Sequence, residues 1–324
     1  MVKRIDIAKI AQVSTTTVTR VINNNGYVSA EVRKRVTDAI RKMDYIPNNI
    51  AKSLSKNRSN IIAVLIDDLD NQYFLQTFEA MVEEAKKEGV IVSLFKIKSE
   101  DQDEVLKILI AERILGAIDL TVTGFYDAKS KYFEILKKNM IRFVRSEDCV
   151  FINYESGIRE MFAALKKCGR KKLAFIAALP KERAERDGRL GLYKKYVREY
   201  GFSDAENLVL FGNYPKEKGA DVGSELGLKL IRSGVEFDSV FCLNDSVAAG
   251  VLKVLHMSGI KVPEDAALIG CDNTLMSEYL YPSLSSIDIG KAEQGCVYFR
   301  KIIAQQDSPK MVIDVRFVQR DSLG

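Results

Sequence analysis

From Ile61 onward, short runs of apolar and β-branched residues alternate with stretches of helical period. The runs "IIAVLIDDL", "VIVSLFKIK", "AIDLTVTGF" and "IRFVRSE" read as strands, separated by helices such as "YFLQTFEAMVEEAKKEG" and "DEVLKILIAERI". The alternation then repeats. "KLAFIAAL", "ENLVLFGNY", "SVFCLND" and "AALIGCDN" read as strands, with helices around 156–168, 188–200, 219–233, 246–258 and 291–305, before the closing "MVIDVRFVQRDS". Near-continuous apolar strands between helices predict parallel sheets covered on both faces, here in two similar α/β halves. The first sixty residues follow another rule. Ile7, Ala8, Ile10 and Ala11 form one short amphipathic helix, and Gln12 and Val13 a turn. Ser14 then caps a second helix with Val18, Val21 and Ile22 as its apolar stripe. Ser29 caps a third, striped by Val32, Val36, Ile40 and Met43, which ends before Pro47. Threonines 15, 16, 17 and 19 are weak helix formers, so tertiary packing must hold that second helix.

Composition places the chain among globular proteins: 324 residues, 47% hydrophobic and 29% charged, enough for about two domains. No apolar run is long enough to span a bilayer, and "MVKRIDIAKIAQV" has no continuous apolar core of the kind a secretory signal needs. The five cysteines, at 149, 168, 242, 271 and 296, are odd in number and lack any C-x-x-C, which reads as reduced thiols and a cytoplasmic setting.

Charge sharpens the division. Residues 1–60 carry twelve Lys and Arg against four acids, a net of +8, while the remainder is −3 within an overall +5. A basic head on a mildly acidic body suggests a polyanion-binding module joined to a domain with another task. A short helix, tight turn, second helix and supporting third helix is the helix-turn-helix arrangement, whose second helix enters the major groove. Small hydroxyl side chains there permit close approach to base edges and contact with thymine methyls, and Arg20 has the reach for a bidentate contact with guanine.

The chemistry of catalysis is sparse. No G-x-G-x-x-G follows the first strand, and no phosphate-loop motif is present. The single histidine, His256, lies in "VLKVLHMSG" on a helix that reads as surface, and the adjacent acid pairs Asp67–Asp68 and Glu83–Glu84 have ordinary strand-end or solvated-helix explanations. No catalytic set, cofactor or metal site is expected.

The stretch "IDIAKIAQVSTTTVTRVINNNGYVSAEVRKRVTDAIRKMDYIPNNIAKSL" resembles the DNA-binding headpiece of the lactose-repressor (LacI/GalR) family of bacterial transcription regulators. The resemblance implies that Thr15, Thr16 and Arg20 read bases, with Thr19, Asn23, Tyr27 and Ser29 completing the DNA-facing set. It also implies that "NNIAKSL" is a hinge helix that folds on DNA, with Leu54 wedged into the minor groove, where an apolar side chain kinks the duplex. Lys52 and Lys56 would contact phosphates there. The body resembles the effector-binding core of the same family, shaped like a periplasmic sugar-binding protein, through "DLDNQYF", "RLGLYKKYVREYGF", "NDSVAAGVLKVLHMSGIKVPEDAALIGCDN" and "VRFVQRDS".

The organisation so implied is a helix-turn-helix domain over 1–46, a hinge over 47–59 and an effector-binding and dimerisation domain over 60–324. Within that domain, an N-subdomain covers about 60–153 plus 287–312, and a C-subdomain about 154–286 plus 313–324. The implied effector site holds Tyr73 and Phe74, Glu147, Arg183, Arg189, Tyr214 as a stacking wall, and Asn244 and Asp272 as polar anchors, a set suited to polyol recognition.

Three departures from the family pattern weaken any transfer of ligand identity: "SED", which puts Glu147 where an aspartate is usual, "GR" at Gly169-Arg170, and "LGAIDL". The segment "PKERAERDGR" sets Arg183, Arg186 and Arg189 around the cleft lip, which suits a phosphorylated sugar, although neutralisation by Glu182, Glu185 and Asp187 as a solvated loop is the favoured reading. The function implied is a homodimeric, sequence-specific repressor of a palindromic operator, controlled by a sugar or sugar derivative. Control by a protein co-regulator is the alternative, and a solute-binding protein or sugar-modifying enzyme the remoter ones.

Overall fold

In a computed structural model, residues 2–46, 58–122, 130–203, 208–304 and 308–324 are described. The chain divides into two compact units, Met1–Ser59 and Asn60–Gly324. In the first, helices α1 (Arg4–Ala11), α2 (Thr15–Ile22) and α3 (Ala30–Lys42) follow one another. Ile7, Ala8, Ala11, Val18, Val36, Ala39 and Tyr45 form its core, against which Val21, Ile22, Val32, Ile40 and Met43 are half-buried. Ile10 departs from the expected apolar face. It is 44% exposed, because the one face that an eight-residue helix turns to the core is filled by Ile7, Ala8 and Ala11. Both expected serine caps form: Ser14 Oγ accepts from Thr17 N at 3.1 Å and Ser29 Oγ from Val32 N at 3.4 Å.

The second unit is mixed α/β with parallel sheets in two lobes. In the first lobe β1 (Ile61–Ile66) is central, between β2 (Ile91–Lys96) and β3 (Gly116–Asp119), and β4 (Arg142–Arg145) is at the edge, giving the order β2-β1-β3-β4. Its strands are buried on both faces. Ile62, Val64 and Ile66 pack toward the helices Gln72–Glu88 and Lys291–Ile303, while Ala63 and Leu65 pack toward Gln102–Ala111 and Lys131–Lys138. β3 is shorter than the apolar run suggests. It ends at Asp119, whose carboxylate accepts from both Thr121 N and Thr121 Oγ1 and so turns the chain.

After β5 (Val150–Asn153), the second lobe repeats the design with β6 (Leu173–Ile176), β7 (Val209–Leu210), β8 (Ser239–Cys242) and β9 (Ala267–Ile269) in the order β7-β6-β8-β9. β7 is only two residues long, because Gly212 N and Tyr214 N turn to the carbonyls of Leu179 and Ala178 instead of extending the ladder. The helices Gly219–Arg232 and Asp245–Met257 cross at glycines. A Cβ on Gly223 would stand 2.1 Å from Val247 O, and one on Gly250 2.0 Å from Ala220 O, so only glycine permits this approach.

The lobes are joined by strand pairs at the crossings. β5 pairs in parallel with β11 (Met311–Asp314), and β10 (Ser286–Asp288) pairs antiparallel with β12 (Arg316–Val318). All five cysteines are free thiols, and Cys149, Cys242 and Cys271 are buried. Among the described residues no helix is long and apolar enough to cross a membrane.

Candidate functional site

In the N-terminal unit, α2 carries Val18 inward at 0% exposure and leaves Thr15, Thr16 and Arg20 exposed. Arg20 makes no side-chain hydrogen bond or ion pair among the described residues, and its stem lies along Gly26, whose φ of +79° lets the loop fold under it. Thr19 is half-buried, and its hydroxyl donates to Thr15 O at 2.9 Å, which spends its donor inside the helix. Asn23, the C-cap of α2, is exposed, and Tyr27 is 91% exposed. Ser29 is exposed, with its oxygen used as the α3 cap. Sequence reasoning passed over Arg33, which donates to Asn24 Oδ1 at 3.0 Å and ties α3 to the loop after α2. Lys52, Leu54 and Lys56, with the expected hinge helix, lie outside the described residues.

In the second unit a cavity of about 480 Å³ lies at the carboxyl ends of both sheets' strands, the position where parallel sheets bind ligands. It brings together Tyr73, Phe74, Glu147, Arg183, Arg189, Tyr214, Asn244 and Asp272. Asn71, immediately before the helix Gln72–Glu88, caps that helix by accepting from Tyr73 N at 3.0 Å, and its amide donates to the buried Tyr214 hydroxyl at 3.0 Å, across the cleft. The Tyr73 hydroxyl donates to Gln294 Oε1 at 2.7 Å, and burial pushes its pKa up to about 12, so it stays a donor. Phe74, 1% exposed, packs edge-on to Tyr73 with ring centroids 5.2 Å apart and belongs as much to the lobe's core as to the cavity wall.

Arg189 is set deeper than the lip position expected for it. Its side chain is 14% exposed, donates from Nε and Nη2 to the two Asp187 oxygens at 2.9 and 2.6 Å, and from Nη1 to Leu243 O at 2.6 Å. Its guanidinium also lies 5.3 Å from the Tyr154 ring centroid. Burial alone would raise the Asp187 pKa, but Arg189's charge and hydrogen bonds hold it below the usual carboxylate value. The expected neutralisation of three arginines by three acids is therefore corrected. Asp187 alone is turned inward to meet Arg189, while Glu182 and Glu185 are exposed and form no ion pair among the described residues. Glu147 sits at the rim, 68% exposed, paired with Arg145 at 2.8 Å.

Asn244 caps the helix Asp245–Met257 by accepting from Val247 N at 2.9 Å, leaving its amide NH₂ as a donor toward the cavity it lines. Asp272 is held at φ 100°, 6% exposed, and its carboxyl has no hydrogen-bond partner among the described residues. A non-glycine residue at such φ is strained and persists where surrounding structure imposes it. Burial, and then the charge of nearby Asp245, push the Asp272 carboxyl up to about 8, against the pull of Arg189 and Lys291. The unfolded chain titrates this group near 3.8. The stability it contributes is therefore complete below that value and is lost as pH rises through about 8. Scanning calorimetry from about pH 5 to 8 should show a falling midpoint that Asp272→Asn flattens, and an unchanged slope in the variant would mean that the carboxyl is not held protonated.

Asn71, Tyr154 and Asp187 also line this cavity and were not among the expected ligand residues, whereas Arg186 lines it together with Arg183. Asn71 stands inside "DLDNQYF" as a helix cap, which was its available signal. His256 lies on an exposed helix position away from the cavity, and no group of three or more potential metal ligands occurs among the described residues.

Comparison with known proteins adds a further set of observations. Residues 5–48 match the family model for bacterial regulatory proteins of the lacI family, and residues 162–323 that for a periplasmic binding protein-like domain. The chain is similar to the NTD biosynthesis operon regulator NtdR of Bacillus subtilis (strain 168), 31% identical over 92% of this chain and 91% of that protein. It is also similar to the ribose operon repressor of Halalkalibacterium halodurans, 30% identical over 93% of this chain and 89% of that one. Among solved structures, the lac repressor dimer bound to operator and the anti-inducer ONPF shares its fold with a TM-score of 0.75 at 23% identity, covering 99% of both chains.

Proposed function

This chain belongs to the lacI family of bacterial regulatory proteins, and from that membership we propose that it is a DNA-binding transcriptional repressor that binds a palindromic operator as a homodimer. Its activity is set by a small polyhydroxylated effector in the body cavity. The observation that carries the reading is the face of α2, where Thr15, Thr16 and Arg20 are exposed on a helix held from behind by the fully buried Val18. That face suits base edges in a major groove, and dimerisation follows because one such helix buries too little surface for specific affinity. We place the protein in the cytoplasm, where its DNA is, and assign it no catalytic role.

In the body, Tyr73, Tyr154 and Tyr214 supply ring faces, and Asn244 and Asp272 supply hydrogen bonds, the combination that holds vicinal hydroxyls. Ligand in the cleft favours one angle between the lobes over another, and only that difference in affinity transmits a signal. Coupling between such sites is typically about 1–3 kcal/mol, a shift of about 5–150-fold in operator affinity. The test is operator affinity of the whole protein by fluorescence anisotropy, with and without each compound that raises its melting temperature. A shift in that range for at least one compound supports the reading. Stabilising compounds that leave operator affinity unchanged would contradict it.

A further inference from the structure

We infer that Asp70, Asn71 and Gln72, three consecutive residues where the helix Gln72–Glu88 begins, form a clasp that holds the two lobes together across the cleft by the chain's own contacts. This rests on the reading of the cleft as the effector site and names the part of the chain against which an effector works. The three side chains belong to the first lobe, and each is bonded to a different segment of the second. Asp70 pairs with Lys218, just before the helix Gly219–Arg232, at 2.8 Å. The Asn71 amide donates to the Tyr214 hydroxyl at 3.0 Å, and Gln72 Oε1 accepts from Met276 N at 2.9 Å.

The last of these bonds completes a helix end from the opposite lobe. Met276 lies in the first turn of the short helix Leu275–Tyr279, where backbone N–H groups have no partner within the helix. The N-cap residue, Thr274, makes no cap bond, and its hydroxyl is turned to Asp245 at 2.9 Å. Gln72 supplies the acceptor instead. Asn71 is divided between the lobes in a similar way, its oxygen capping its own helix through Tyr73 N while its NH₂ goes to Tyr214. An exposed pair such as Asp70–Lys218 holds little by itself. Three bonds from adjacent residues act as one unit, because each bond made brings the next pair of groups within reach. Asn71 and Tyr214 line the cavity, whereas Asp70 and Gln72 are not among its described lining residues. A ligand that draws Asn71 or Tyr214 to itself therefore loosens the clasp, and one that leaves them paired keeps it shut. That is a difference between lobe arrangements of the kind a signal requires.

Hydrogen exchange of the ligand-free whole protein, read at the Met276 amide by mass spectrometry, tests this, because that amide is bonded to Gln72 and to neither member of the ion pair. Asp70→Ala and Lys218→Ala should each speed its exchange about two- to fivefold, the worth of an exposed pair. The double variant should go no further than either single one. Glu83→Ala breaks an exposed pair with Lys86 farther along the same helix but within one lobe, and should leave the exchange unchanged. Unchanged exchange in Asp70→Ala or Lys218→Ala, additive effects in the double variant, or equal acceleration by Glu83→Ala would each overturn the inference. Affinity of the same variants for the operator selected from random oligonucleotides separates the clasp from the regulatory reading. Faster exchange with operator affinity unchanged keeps the clasp and removes the lobe angle as the signal. Unchanged exchange, together with a compound that shifts the operator affinity of the wild type, keeps the regulatory reading and removes the clasp.

Discussion

Arg189→Met is expected to lower the stability of the body by about 3–5 kcal/mol, the cost of leaving one partner of a buried ion pair without the other. The pair is well shielded, with side chains 14% and 18% exposed, and is joined by hydrogen bonds at 2.9 and 2.6 Å. Methionine keeps much of the apolar stem against Tyr154 and Leu243 but strands the Asp187 carboxylate among them. The penalty therefore belongs to the orphaned charge rather than to lost packing, and the double variant Arg189→Met, Asp187→Leu should recover most of it. Urea denaturation of the single and double variants measures this directly. A single-variant loss below about 1 kcal/mol, the range of an exposed pair, would contradict the burial argument. The sign with pH is also set. Arg189 depresses the Asp187 pKa below its ordinary value of 3.8, so the pair's contribution is present above that value. It is lost as pH falls through the folded pKa, and the gap between wild type and Arg189→Met should narrow in acid.

The second large effect concerns DNA. Arg20→Ala should weaken operator binding by about 1–3 kcal/mol and relax the preference at a single base pair, the signature of a bidentate base contact. It should leave folding intact, because Arg20 is exposed and holds no partner among the described residues. Val18→Ala gives the opposite pattern. That residue is fully buried at the centre of the headpiece core, so its loss should unfold the unit and weaken binding to every sequence alike. If Arg20→Ala kept the wild-type sequence preference, α2 would not read bases with that side chain.

What could be seen in the sequence was what is decided locally or by period. Ser14 and Ser29 announce their helices because a cap needs only a hydroxyl and the next three residues, and both form those bonds. The two α/β halves were legible because strands buried on both faces must be apolar throughout, as β1 is with Ile62 to Leu65 all at 0% exposure. The less legible features depend on residues far apart or on which way a loop turns. Asn71 and Tyr214 bond across 143 positions, and nothing near either of them in the chain announces the other. "PKERAERDGR" offers three acids and three arginines of nearly equal standing, and only the turn at Asp187 decides that this acid, rather than Glu182 or Glu185, faces Arg189. Tyr154 gave no signal because its place under Arg189 comes from the crossing between lobes, where β5 and β11 pair across more than 150 residues. Ile10 misled for the converse reason. Its spacing suits an apolar stripe, but an eight-residue helix shows its core only one face, which Ile7, Ala8 and Ala11 fill.

The most direct measurement is selection from random double-stranded oligonucleotides with the intact protein, alone and with each compound that raises its melting temperature. Enrichment of a two-fold symmetric site, with one position in each half relaxed when Arg20→Ala replaces the wild type, is the predicted result. Failure to enrich any symmetric site under every condition would show that the threonine and arginine face of α2 does not read duplex DNA.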